Sequence, residues 1–74
     1  MNPQAYPIMV RKKPNGKQAV YADSHNSLKR YSVLHCRDRH YYLQEFVAGY
    51  PASRVTRTTK EWLLQMFGVS RLAV

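Results

Sequence analysis

At 74 residues, 45% of them hydrophobic, the chain can hold one small core and is too apolar for a disordered tail. Twelve Lys and Arg against four Asp and Glu give a net charge of +8, an excess that attracts polyanions. One cysteine excludes an intrachain disulfide framework, and no apolar run approaches the ~20 residues of a membrane helix. The expectation is a single basic domain, 1–74, cytoplasmic and without a membrane partner.

In chain order, Met1 to Pro7 carries two prolines and few anchoring side chains, which predicts a loose N-terminal tail over 1–6. MNPQAYPIMV also lacks the basic start and long apolar centre of a secretion signal. Ile8, Met9 and Val10 open an apolar run that closes in Arg11-Lys12-Lys13. Pro14-Asn15-Gly16 then gives the strongest turn signal in the chain: proline presets φ, and Asn-Gly tolerates the positive φ of tight hairpins. With KQAVYA beyond it, the stretch predicts a first hairpin, about 7–12 with 17–22.

Asp23 to Ser27 (DSHNS) is turn chemistry and marks a loop. From Arg30, alternation puts Tyr31, Val33 and His35 on one face and Ser32, Leu34 and Cys36 on the other. After Arg37-Asp38-Arg39 comes HYYLQEFV, so a second hairpin of about 30–36 with 40–47 is expected. A helix capped by Asp38 and running through Phe46, stopped by Gly49 and Pro51, competes with that strand. Short apolar runs do not fix the period, and 38–47 stays open between the two. Ser53 to Arg57 reads as a short edge strand blunted by arginines.

Thr58 and Glu61 stand at the spacing of a capping box, five large apolar residues follow (Trp62, Leu63, Leu64, Met66, Phe67), and Gly68 offers a left-handed stop. Together they predict a helix over about 59–67. Trp62 is expected at the centre of the core, so that Trp62→Ala would cost about 3–5 kcal/mol. Residues 69–74 read as a C-terminal tail. The fold class that joins these pieces is α+β: a small antiparallel sheet of two hairpins, three to five strands, packed by one C-terminal helix.

Candidate chemistry is sparse. His35, Cys36, Asp38 and His40 fall within six residues, but a structural zinc site needs four ligands and His25 is the only other imidazole. The glycines stand alone at 16, 49 and 68, with no phosphate-binding loop among them. Neither enzymatic activity, nor a metal, nor another cofactor is expected. The basic residues are the candidate site instead. Arg11, Lys12, Lys13 and Lys17 flank the first turn; Lys29 and Arg30 open the second hairpin; Arg37 and Arg39 flank its tip; Arg54 and Arg57 precede the helix. A folded sheet could gather them into a stripe for phosphates, with tyrosines interleaved for base or sugar contact.

TTKEWLLQMFGVSRLAV resembles the first helix and turn of helix-turn-helix DNA-binding proteins. That resemblance implies a turn at Gly68, buried Val69 and Val74, and Ser70 and Arg71 facing DNA from the start of a second helix. The whole arrangement of a small basic sheet with one C-terminal helix also resembles the arm-binding domains of phage-type integrases. The expected function is non-enzymatic binding of DNA or RNA through the Lys/Arg clusters. The alternative is a small phage- or plasmid-type inhibitor or accessory protein that uses its basic and aromatic surface to dock on an acidic surface of a larger complex. Its surplus of apolar side chains also allows a homodimer.

Overall fold

The computed structural model describes residues 4–74. Six strands form one antiparallel sheet: β1 (Ala5–Lys13), β2 (Gly16–Asp23), β3 (Lys29–Cys36), β4 (Tyr41–Val47), β5 (Tyr50–Pro51) and β6 (Thr56–Thr58). A single helix, α1 (Lys60–Phe67), follows them. The first four strands pair in sequence order, and the short β5 and β6 both pair with β4 on its far side. This is the α+β sheet and C-terminal helix that the sequence predicts.

Register decides what each face carries. Ala19, Val33 and Leu43 stand opposite one another across β2, β3 and β4, as do Tyr21, Tyr31 and Glu45. Because side chains alternate, these rows share one face, here the inner face. Ala5, Ala19, Tyr21, Tyr31, Val33 and Leu43 bury there against Leu63 and Phe67 of α1. Phe67 stacks on Tyr21 with ring centroids 4.3 Å apart and meets Tyr31 at 5.3 Å. An irregularity between Pro7 and Met9 shifts the β1 register by one residue, which returns Val10 to the inner side opposite Ala19.

Each turn has a local cause. Pro14 and Asn15 are the two turn residues of the first hairpin, and Asn15 does not take positive φ as expected. The β3–β4 tip needs a left-handed residue and uses Arg39, at φ 70°, while the Asp38 carboxylate accepts from the His40 amide at 3.0 Å. Ala48 and Gly49, at φ 52° and 85°, make a tight turn into β5, a strand the sequence did not disclose. Segment 41–47 is therefore a strand, and the competing helix is absent: its residues alternate, with Leu43 on the core and Tyr42 and Gln44 on the reverse side.

Two expectations about the helix need correction. The capping box Thr58–Glu61 does not form, because Thr58 is held in β6 opposite Tyr41. Thr59 is the N-cap instead, its hydroxyl accepting from the Trp62 amide at 3.2 Å, and Glu61 sits in the first turn where the helix dipole favours an acid. Gly68 does stop the helix in the left-handed region at φ 67°, with its amide on Gln65 and that of Val69 on Leu64. Trp62 is not central but 50% exposed; the buried stripe of α1 is Leu63 and Phe67.

No second helix follows Gly68, so the helix-turn-helix resemblance does not hold beyond its turn. Val69, Leu72 and Val74 pack on the core as an irregular tail, tied down where the Ala73 amide donates to the Tyr21 hydroxyl at 2.9 Å. At the other end, residues 1–3 of the expected loose tail lie outside the described residues. Gln4 already bonds the Phe67 carbonyl, and Ala5 is buried in β1. Among the described residues no helix is long and apolar enough to cross a membrane.

Candidate nucleic-acid interface

Among the described residues no helix covers the reverse, or outer, face of the sheet. Its cross-strand rows read Tyr6, Ala22, Arg30, Phe46; then Met9, Val20, Ser32, Gln44; then Arg11, Gln18, Leu34, Tyr42, Arg57; and Lys13, Gly16, Cys36 at the hairpin end. The ten basic residues marked out by the sequence thus divide. Arg11, Lys13, Arg30 and Arg57 lie on the outer face. Lys12, Lys17 and Lys29 project on the inner face, Arg37 and Arg39 sit at the β3–β4 tip, and Arg54 is in the loop before β6. They do not form one stripe.

The acids are placed the other way. Asp23 is at the inner end of β2, where Tyr31 donates its hydroxyl at 2.7 Å and the His25 and Asn26 amides add two further bonds. Those bonds, led by the one from Tyr31, hold its carboxyl below the ordinary value of 3.8. Burial and the bond to Asp23 push the Tyr31 phenol up in turn. Glu45, also inner, pairs with Lys29 at 2.9 Å and raises the lysine's pKa. Glu61 is on α1. Asp38, at the tip, is the acid that reaches the rim of the outer face, where it accepts from the Tyr42 hydroxyl at 3.3 Å.

The second and third rows, with Lys13 of the last, border a depression of about 330 Å³. Gln18, Ser32, Leu34, Tyr42 and Gln44 line it from the strands, the Lys13-Pro14-Asn15 turn stands at one side, and Val55 at the other. Gln18 donates an amide hydrogen to the Ser32 hydroxyl at 2.7 Å, and Gln44 donates one to the Ser53 carbonyl at 3.2 Å. Each amide keeps a carbonyl oxygen and a second N–H for a ligand. Partial burial and the Asp38 carboxylate raise the Tyr42 pKa, and the one hydroxyl hydrogen of this phenol is engaged by Asp38. Arg57 stands opposite Tyr42 across the β4–β6 ladder, and its charge opposes that shift.

Comparison with protein-family models, curated proteins and solved structures finds no match to this chain. The site therefore rests on its own geometry.

Of the lining residues, alternation within β3 alone puts Ser32 and Leu34 on one face, and the sheet register adds Gln18, Tyr42 and Gln44 to them. The signal was there in alternation, since all five occupy positions opposite in parity to the core residues of their strands; pairing them needed the register. The cluster His35, Cys36, Asp38, His40 is dispersed. His35 stacks on Tyr41 on the inner face at 4.1 Å, Cys36 lies on the outer face, and His40 faces Asp38 at 3.4 Å on the tip. Among the described residues no three His, Cys, Asp or Glu side chains come together as a metal site would need.

Proposed function

We propose that the protein binds nucleic acid through the outer face of its sheet and catalyses no reaction. The observation that carries this reading is the segregation of charge. Arg11, Lys13, Arg30 and Arg57 share a face that carries no acid in its strands, while Asp23, Glu45 and Glu61 lie on the inner face or helix. Cations at the edges of such a face hold phosphates and set orientation, and the amides and hydroxyls between them are the groups that address base edges or sugars.

The test is binding of a labelled oligonucleotide as a function of salt. Four phosphate contacts predict that log K falls with log salt at a slope of about −3, from 0.7–0.9 per contact. Removing Arg11, Lys13 and Arg57 together should flatten that slope, whereas Arg54→Ala and Lys60→Ala should leave it unchanged. A protein that binds neither DNA nor RNA at roughly 50 mM salt is not a nucleic-acid-binding module. A second reading, docking on a larger protein complex, is supported by aromatic exposure: Tyr50 is 75% and Trp62 50% accessible. Retention of a protein partner after nuclease treatment, lost on Tyr50→Ala with Trp62→Ala but kept in the triple cation variant, favours that reading over the first.

A further inference from the structure

We infer that the depression on the outer face is a seat for one unpaired nucleobase, so that the protein prefers single-stranded nucleic acid to duplex. The inference rests on the nucleic-acid reading above and adds the form of the ligand. At about 330 Å³ the depression lies at the small end of ligand pockets, roughly 300–1,000 Å³, and takes a single ring system rather than the wall of a duplex groove. Its lining suits a base turned out of its stack. Leu34, Tyr42, Pro14 and Val55 offer apolar surface to the faces of a ring. Gln18, Ser32 and Gln44 offer donors and acceptors to its edge, with both glutamine amides only half engaged.

Lys13 at one side, and Arg57 opposite Tyr42 in the β4–β6 register, are placed to hold the phosphates on either side of that base. In a duplex the faces of every base are covered by their neighbours, and only edges are offered to a protein. Splayed single strands expose faces and edges together. A peptide would find the same apolar walls. The charge around them selects against it, since Arg11, Lys13 and Arg57 outnumber the one carboxylate at the rim, Asp38, and reward one negative charge per residue of ligand.

The experiment compares a labelled single strand of about 12 nucleotides with the duplex of the same sequence at fixed salt. The single strand should bind about tenfold tighter. Ser32→Phe places a ring in the depression without altering charge or the inner face. It should bring single-strand affinity down to the duplex value and leave duplex affinity and both salt slopes unchanged. Gln44→Leu serves as the second variant, with a loss confined to the single strand, should Ser32→Phe fail to fold. Equal affinity for the two forms, or a folded Ser32→Phe that binds the single strand as well as the parent, overturns the base seat and leaves the polyanion reading standing. Loss of binding to both forms by the parent removes that reading as well. An acidic peptide that competes as strongly as the unlabelled strand also overturns the proposal.

Discussion

Gly16 faces Cys36 across the β2–β3 ladder, and the space a side chain would need is already filled. A Cβ built there runs into the His35 carbonyl oxygen and comes within 2.9 Å of the Cys36 Cα. Backbone cannot step aside as a flexible side chain can, so Gly16→Ala should destabilise by about 1–3 kcal/mol or more; a chemical denaturation midpoint equal to the parent's would contradict this. Ala48 presents the opposite case. It holds φ 52° in the β4–β5 turn, a conformation that costs an L-residue about 1–2 kcal/mol and that asparagine tolerates better. Ala48→Asn should therefore stabilise by about 0.5–1 kcal/mol and raise the melting temperature. Asp23 sets a pH dependence. Its folded pKa lies below the ordinary value, so its contribution is complete above that value and is lost as pH falls through the depressed one. Asp23→Asn should remove that part of the acid sensitivity, seen as a shallower loss of stability below about pH 4.

At the scale of elements, α1 buries two of its five large apolar residues fully, with Met66 packed beside them. Leu63 and Phe67, four apart, form the buried stripe, and Phe67 is wedged between Tyr21 and Tyr31. Phe67→Ala should cost about 3–5 kcal/mol, and Trp62→Ala under about 1 kcal/mol. Equal losses in thermal melts would refute the placement of both rings. The ends of this helix were legible because Thr and Gly at its boundaries have chemistry that the backbone requires. Its buried side was not: with apolar residues at 62, 63, 64, 66 and 67, composition does not distinguish a stripe through Leu63 from one through Trp62. The hairpins were legible for the same local reason, with Asn-Gly at one turn and alternation from Tyr31 to Cys36. β5 was hidden because it is two residues long and its turn begins with alanine, which carries no turn signal. The candidate site was half legible: its cations stand out in the sequence, but Gln18, Ser32 and Gln44 become neighbours only through a register that single strands do not encode.

For the molecule as a whole, the sheet sorts charge that the sequence leaves interspersed. Lys29 and Glu45 are near Arg30 in the folded sheet yet project to the other side of it. The side that meets a polyanion is accordingly fixed by strand parity, and adding a carboxylate at Ser32 or Gln44 should weaken oligonucleotide binding more than the same change at Lys60. A binding curve at low salt checks this. The sheet is also lopsided at its margins. β5 and β6, two and three residues long, border β4, whereas β1 runs nine residues with no strand among the described residues paired along its free edge and with Tyr6, Ile8, Met9 and Val10 open to water. Pro7, the bulge beside it and the Arg11–Lys13 run are devices that discourage added strands there. A ribbon with one long open selvedge accepts one newcomer and is then closed, because fibre growth requires a second such border to hand the pattern on. Association along β1 at high concentration would thus stop at pairs instead of lengthening into filaments.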